Sequence, residues 1–270
     1  MTFLQFMLGL VSVSVAMSVI MTGAWLVWRS TRNSGWVDTV WTFGLGFTGV
    51  ASAGAAWLVS GTATRPLLIA VLIVAWSLRL GLHIATRTAG ITDDPRYAAL
   101  IRGWGRDAER QMFWLLQKQA LVSIPLAVAM LLAAWNPLPA LRLQDVVGVL
   151  VLVIGIVGEA IADTQLRRFK SDASNRDKVC DQGLWAWSRH PNYFFEWFGW
   201  LAYPLIAIDL TGAYPFGFVA LAGPACMYWL LVHVSGIPPL EKHMLEKRPD
   251  EFRAYRARTS AFFPAPPHTS

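Results

Sequence analysis

Long apolar stretches alternate with short polar joins along the whole chain. A helix needs about 20 consecutive apolar residues to cross the hydrocarbon core of a bilayer. Seven stretches approach or exceed that length, at 3–28, 36–59, 66–86, 112–135, 144–166, 191–209 and 213–235. The pattern therefore predicts an all-α, polytopic membrane protein with about seven transmembrane helices.

The polar joins on the two sides of this predicted bundle differ in charge. Most Lys and Arg residues lie in four alternate joins, at 29–35, 87–111, 167–190 and 236–270. The opposite joins carry few basic residues, among them Arg65 and Arg142. Because cytoplasmic loops are enriched in Lys and Arg, we expect the N-terminus outside and the C-terminus in the cytoplasm.

Shorter helices are expected within the polar joins. One join has apolar residues at helical spacing, Tyr97, Leu100, Ile101 and Trp104. This spacing predicts a surface helix that leads into the fourth span. Two more helices are expected at 238–247 and 249–258, the second stopped by the prolines after it. No linker or second soluble domain is evident, so we predict a single membrane domain over 1–270.

The composition supports this class. The chain is 55% hydrophobic and only 15% charged, whereas soluble domains carry about 25% charged residues. A net charge of +6 would also suit a nucleic-acid partner, but the basic residues lie beside apolar spans, which favours a membrane and excludes nucleic acid. The two cysteines, Cys180 and Cys226, indicate neither a disulfide nor a metal site.

The stretch 180–200 carries the densest polar chemistry in the sequence. Pro191 suits the first turn of a helix, because its φ is fixed and its missing N–H is not needed there. Such a helix start presents free backbone N–H groups and the positive end of the helix dipole. Flanked by Arg189 and His190, it is a candidate anion site.

The same helix would carry further polar groups. Asn192 and Glu196 are four residues apart and so share one helix face, next to Tyr193. An amide and a carboxylate beside a cationic helix start suit a ligand with both phosphate and polar-ring parts. The alternative is an interfacial turn whose polar side chains reach the lipid headgroups.

Ionisable residues inside predicted spans are further candidates. His83 shares a stripe of the third span with Arg79 and Arg87, which indicates a polar interior. Asp38 lies near the start of the second span, where it is either a helix cap or a functional group.

A second stripe lies on the fifth span. Glu159 and Asp163 are four apart, and Arg167 and Lys170 extend the stripe past the membrane edge. We expect this stripe to form one wall of a groove that meets the 189–196 cluster. Glu241, in the tail, fits a solvated helix and a site equally well.

Three segments, DTQLRRFK, GLWAWSRHPNYFFEW and EFRAYRARTSAFFP, resemble the C-terminal half of the steroid 5-alpha-reductase and sterol reductase superfamily. A bacterial membrane branch of it is the most similar, with SGWVDTVW, WSLRLGLHIATR, DDPRY and SGIPPLE as typical segments. Isoprenylcysteine carboxyl methyltransferases share the architecture and the RHP-x-Y core but bind S-adenosylmethionine there. The methyltransferases usually continue this core as RHP-x-Y-x-G. This chain instead has Asn192 and Glu196, which match the N-Y-x-x-E/D pattern of the reductases.

The resemblance implies an NADPH site in the half 136–270 and a lipid-substrate site in the half 1–135. Arg167 and Lys170 would bind phosphate, and Arg87 would add a further contact. The remaining implied cofactor residues are Asp163, Arg189, His190, Asn192, Tyr193, Glu196 and Glu241. The Gln-Glu pair with which steroid reductases address a steroid ketone has no counterpart here, since Ala53 and Gly54 occupy that region.

The sequence hypothesis is an enzyme of the cytoplasmic membrane that reduces a C=C bond in a lipid taken from the bilayer. NADPH would be held on the cytoplasmic side, and His83 and Asp38 are the candidate proton donors. The alternatives are a membrane methyltransferase that uses S-adenosylmethionine and a non-catalytic lipid-binding protein.

Overall fold

A computed structural model describes residues 1–267, and every regular element in that part of the chain is helical, as predicted. The α-helices are α1 (Phe3–Thr31), α2 (Gly35–Ser60), α3 (Thr64–Ala89), α4 (Pro95–Trp104), α5 (Ala108–Ala134), α6 (Leu143–Ser171), α7 (Leu184–Trp187), α8 (Pro191–Trp200), α9 (Ala202–Ala207), α10 (Ala222–Trp229), α11 (Ile237–Lys247) and α12 (Pro249–Arg258). Short 3₁₀ turns lie at Gly105–Asp107, Ala173–Asn175 and Pro215–Leu221, and a π turn at Leu230–Val234.

Within the described residues, six helical segments are long and apolar enough to cross a membrane: Phe3–Thr31, Gly35–Ser60, Thr64–Ala89, Arg96–Ala134, Leu143–Ser171 and Pro215–Lys247. The remaining stretch for which a span was expected, 191–209, forms α8 and α9, of 10 and 6 residues. Pro204 explains the break, because it has no N–H for the carbonyl of Trp200 and its ring crowds that carbonyl. The structure therefore supports a multi-pass membrane protein, with six of the expected spans matched by long apolar helical segments in the described residues.

The short helices begin and end where local sequence rules place them. Pro191 is the first residue of α8, as predicted. The surface helix expected around 97–104 is α4, and the two tail helices are α11 and α12. Thr2 and Gln5 form a capping box that starts α1. These boundaries depend on contacts between near neighbours in the chain, which is why the sequence predicts them well.

The chain divides into two compact units. The first unit comprises Met1–Val146 and Tyr203–Gly223, and the second comprises Val147–Ala202 and the chain from Pro224 onward. The expected halves, 1–135 and 136–270, correspond to these units only in part. The division lies about one helical turn into α6, and a later segment of the chain returns to the first unit.

Close helix contacts build the first unit. A Cβ on Gly46 would lie 2.6 Å from the Cβ of Ser77, and one on Gly49 would lie 2.5 Å from the Sδ of Met130. Glycine at these two positions therefore lets α2 approach α3 and α5 closely. Many apolar side chains on the outer faces of α1 and α3 are exposed, as expected for helices that face lipid.

A buried ion pair fixes the loop between α5 and α6 in the first unit. The side chains of Arg65 and Asp145 are 3% and 1% exposed, and Arg65 Nη2 lies 2.9 Å from Asp145 Oδ2. Arg65 also donates to the carbonyls of Leu138 and Ala140, and Arg142 Nη2 donates to Asp145 Oδ1 at 2.8 Å. The loop is therefore tied to the start of α3 by charge-assisted hydrogen bonds.

The second unit rests on the contact between α6 and α8. A Cβ on Gly155 would lie 2.8 Å from the Cα of Gly199, so only glycine fits there. A Cβ on Gly158 would likewise lie 2.3 Å from the ring of Phe195. This close approach brings the polar stripe of α6 beside the polar face of α8.

Candidate functional site

A buried cluster of charge lies at the start of α8. Arg189 Nε donates to Glu241 Oε1 at 2.7 Å, and His190 Nε2 lies 3.1 Å from the same oxygen. Arg256 Nε lies 3.5 Å from the other carboxylate oxygen. Arg189 also donates through Nη1 to the carbonyl of Thr259 at 2.5 Å. Glu241, which the sequence left undecided, is therefore an internal partner of two predicted site residues.

The segment after α12, residues 259–265, lies along the chain that leads into α8. The backbone N–H of Arg189 donates to the carbonyl of Ser260 at 2.8 Å. Ser188 Oγ donates to the carbonyl of Phe262 at 2.9 Å. We call residues 259–265 the C-terminal tail. These bonds commit much of Arg189 to holding the tail, so the structure gives Arg189 an architectural role besides any contact with a ligand.

The predicted stripe of α6 meets α8 through one direct contact. Asn192 Nδ2 lies 3.3 Å from Asp163 Oδ1 and donates to it. One turn further along α8, Glu196 Oε1 accepts a hydrogen bond from Trp200 Nε1 at 2.9 Å. Asp163 and Glu196 are each 8% exposed. The structure thus brings together the acid of α6 and the amide of α8, as the groove predicted from the sequence requires.

A cavity of about 480 Å³ lies beside this cluster in the second unit. Its wall contains apolar and aromatic side chains, including Phe169, Trp185 and Phe252. None of its lining residues is an Asp or a Glu, although eight can carry positive charge: Lys170, Arg176, Lys178, Arg189, His190, His243, Lys247 and Arg248. The lining of the cavity therefore combines apolar and aromatic surfaces with an excess of positively charged side chains.

His190 joins the charged cluster to the cavity. It is 3% exposed, lines the cavity, and stacks on the ring of Tyr193 with a centroid distance of 5.5 Å and an angle of 10° between the planes. Burial lowers the pKa of His190 below its usual range, and the hydrogen bond and charge of Glu241 oppose this shift only in part. The imidazole is therefore neutral at neutral pH.

The predicted phosphate-binding residues are distributed unevenly. Lys170 lines the cavity, whereas Arg167 is exposed and donates to Thr164 Oγ1 on its own helix. The sequence analysis did not single out Lys247 and Arg248, which also line the cavity. The sequence shows a high density of basic residues after position 236. Only the packing of α11 and α12 shows which of these residues face the cavity.

The candidate proton donors lie in the first unit, in and near a charged network. Asp38 Oδ2 lies 2.5 Å from Arg96 Nη2, and the Tyr97 hydroxyl donates to Asp38 Oδ1 at 3.2 Å. Arg96 also pairs with Asp94 at 2.9 Å, and Arg87, half-exposed, lies 3.7 Å from Asp94. Asp38 therefore anchors the DDPRY segment to α2, a role that its position near the start of α2 did not reveal.

The remaining observations concern the pKa of Asp94 and the positions of the other predicted residues. Burial tends to raise the pKa of Asp94, but the hydrogen bonds and charge of Arg96 outweigh it and lower that pKa. His83 is partly exposed on α3, four residues after Arg79. The structure places Arg87 and both proton-donor candidates in the first unit, and the other predicted cofactor residues in the second.

Comparison with known proteins gives a family but no activity. No protein of curated function matches the chain, and no solved structure matches it. Residues 24–259 match the family described as protein of unknown function (DUF1295). That match covers most of the 270 residues, and the chain therefore belongs to the DUF1295 family.

Proposed function

We propose that this protein is a membrane-embedded reductase that uses NADPH to reduce a C=C bond in a lipid of the steroid, isoprenoid or fatty-acyl type. The cationic cavity of the second unit carries the proposal. Its volume of about 480 Å³ falls within the roughly 300–1,000 Å³ of small-molecule sites. Cationic groups over aromatic and aliphatic walls suit a ligand that combines phosphates with planar rings.

The residues present fit a dinucleotide. Lys and Arg residues of the lining, such as Lys170, Lys247 and Arg248, would form charge-assisted hydrogen bonds with phosphate oxygens. The excess of cations favours NADPH over NADH, since each added phosphate charge needs a basic partner. The Asp163–Asn192 pair offers neutral and acidic groups for a polar ring. When bound, NADPH would supply the hydride for the reduction.

The protein's own groups would bind and orient this cofactor. Lys170 and Lys247 contribute from α6 and α11, so their charges reach the cavity from two different helices. The Arg189–Glu241 pair and the C-terminal tail hold the chain before α8 in place. A wall held by buried bonds keeps the site rigid and limits the access of water.

Reduction of an activated alkene also needs a proton at the neighbouring carbon. Asp38 already accepts hydrogen bonds from Arg96 and Tyr97, so its oxygens are engaged as acceptors. Both His83 and Asp38 therefore stay candidates for the group that supplies this proton. The exposed apolar faces of α1 and α3 are consistent with a substrate that comes from the bilayer.

We place the protein in the cytoplasmic (inner) membrane, with the cavity facing the cytoplasm. Its lining belongs to the basic segments 166–190 and 240–255, and such segments stay on the cytoplasmic side. This location gives the site access to the cytoplasmic pool of NADPH.

The test is a titration of the detergent-solubilised protein with NADPH, NADH and S-adenosylmethionine, followed by thermal stability and nicotinamide fluorescence. A ligand at a hundredfold excess over Kd stabilises the native state by about 2.7 kcal/mol. Lys247→Ala should weaken NADPH binding roughly tenfold, because charge-assisted hydrogen bonds are worth about 1.5–3 kcal/mol. Lys242→Ala, on the same helix but outside the cavity lining, is the matched control and should bind as the wild type does.

Each outcome separates the candidates. Stabilisation by NADPH, together with transfer of deuterium from labelled NADPH into a membrane lipid, supports the reductase. Stabilisation by S-adenosylmethionine alone would make the protein a methyltransferase. Stabilisation by none of the three would leave a non-catalytic lipid-binding protein.

A further inference from the structure

Residues 172–181, in the connection from α6 to α7, form part of the cavity lining. The stretch from Asn175 to Cys180 belongs to the lining, apart from Asp177. Arg176 and Lys178 line the cavity and are also exposed, as are His243 and Lys247 of α11. Because a residue that both lines a cavity and reaches the surface lies where the cavity opens, the segment and α11 both border its mouth.

The segment buries little of its own surface. Six of its first seven residues, 172–178, are exposed. Its regular structure is one 3₁₀ turn at Ala173–Asn175, where the side chain of Asp172 accepts a hydrogen bond from the backbone N–H of Ser174 at 2.8 Å. Segments with few buried contacts open locally at a low cost in free energy.

Two arginines join the segment to the far end of the chain. Arg248, between α11 and α12, donates through Nη2 to the carbonyl of Arg176. Arg258, the last residue of α12, pairs with the carboxylate of Asp181, and their side chains are 45% and 37% exposed. Since exposed ion pairs contribute little to stability, these contacts hold the segment in place but break easily.

We propose that residues 172–181 are a flap at the mouth of the cavity, which opens by breaking its contacts with Arg248 and Arg258 and closes over an anionic ligand. The choice of NADPH as that ligand rests on the proposed function. Arg176 and Lys178 of the flap and Arg248 all line the cavity. Phosphate oxygens bound to cations of both parts would hold the flap closed.

The Asp181–Arg258 pair, which we call the pin, can be changed without touching the ligand. Neither residue belongs to the cavity lining. The pin therefore sets how often the flap opens, whereas a residue of the lining also changes the affinity for the ligand. This difference gives a test that separates opening from binding.

The first measurement uses trypsin and no ligand, because Arg176 and Lys178 are cleavage sites within the flap. When opening is fast, cleavage follows the population of the open form. Asp181→Asn should therefore be cleaved in the flap up to about fivefold faster than the wild type, the most that an exposed pair is expected to contribute. The matched control is Asp250→Asn, which breaks an exposed pair with Arg253 on α12 and should be cleaved in the flap as the wild type is.

The second measurement follows NADPH by stopped-flow nicotinamide fluorescence. The pin is present in both the free and the bound protein, so its loss should leave the Kd unchanged. Asp181→Asn should raise the association and dissociation rates by the same factor, up to about fivefold. NADPH should also slow cleavage of the flap in the wild type.

Exchanging the two charges of the pin tests the pair itself. Asp181→Arg and Arg258→Asp should each speed cleavage of the flap when introduced alone. The double variant restores an ion pair and should return the cleavage and NADPH rates toward those of the wild type. Local misfolding would not be reversed in this way.

The contrary results are distinct. Cleavage of Asp181→Asn at the wild-type rate would overturn the flap, whether or not NADPH binds. Faster cleavage with unchanged NADPH rates would mean that the segment moves without controlling access to the cavity, and would also overturn it. Failure of the wild type to bind NADPH would overturn the proposed function and the choice of ligand, while the trypsin result still decides whether the flap opens.

Discussion

The loop between α5 and α6 and the cavity beside α8 use positive charge in opposite ways. Around the loop, the buried guanidinium of Arg65 meets a carboxylate and the carbonyls of the loop itself. Six Lys and Arg residues line the cavity, and none of the lining residues is an Asp or a Glu. A cation that is paired with a buried carboxylate belongs to the fold itself, whereas an excess of cationic side chains around a cavity is typical of a site that takes an anion.

The strongest test of this contrast removes the matched carboxylate. Asp145→Asn takes away the charge that compensates Arg65, whose side chain is 3% exposed. Breaking a buried pair in this way costs about 3–5 kcal/mol. Unfolding in detergent, followed by a structural probe over increasing denaturant, measures the free energy of unfolding.

The control for this experiment is Asp107→Asn, which breaks an exposed pair with Arg110. Exposed pairs contribute about 0–1 kcal/mol, so this variant should remain close to the wild type. Equal losses in the two variants would mean that the buried pair does not hold the loop, and the comparison between loop and cavity would fail.

A smaller loss of stability is expected when a hydrogen bond between two uncharged groups of the second unit is removed. The hydroxyl of Tyr255, which is 2% exposed, donates to the carbonyl of Trp185 at 2.5 Å. Tyr255→Phe leaves that buried carbonyl without this donor and should cost about 1–3 kcal/mol. Tyr228→Phe is the matched control, since the Tyr228 ring packs against Phe262 and Phe263 and its hydroxyl makes no hydrogen bond within residues 1–267.

The expected readout is the thermal unfolding of each variant in detergent, with the NADPH affinity measured alongside. If Tyr255→Phe unfolds like Tyr228→Phe, the bonds of α12 to the chain before α8 contribute little. The rigidity of the cavity wall would then need another source.

Local rules carried much of the fold prediction. The start of α8 at Pro191, the helix α4 and the two tail helices follow from spacing and proline positions within a few residues. The stretch 191–209 differs because its hydropathy favours one span, while the missing N–H of Pro204 divides it. Hydropathy averages over a window and cannot register one absent hydrogen bond.

The site was predictable only where helical periodicity acts. Helical spacing puts Asn192 and Glu196 on one face of α8 and Asp163 in the polar stripe of α6, and the structure joins Asn192 to Asp163. The Arg65–Asp145 pair spans 80 positions in sequence, and no local pattern connects such residues. The contribution of Lys247 to the cavity likewise depends on tertiary packing.

The smallest effect concerns pH and the one imidazole in the charged cluster. His190 faces Glu241 from α11 and Arg189 from the preceding residue, and it stacks on Tyr193. Burial lowers its pKa below the usual value of about 6.5. The unfolded chain therefore binds more protons than the folded chain just below that pH, so stability falls as the pH falls.

We expect this stabilising contribution to be complete well above pH 6.5 and to be lost progressively as the pH falls through and below that value, because unfolding then lets His190 take up a proton. His190→Gln should follow a flatter pH curve of unfolding free energy than the wild type, because glutamine does not titrate. The difference between the two curves isolates His190 from the carboxylates and from His243. If the curves are parallel, His190 titrates equally in both states, and burial in the charged cluster does not keep its imidazole neutral.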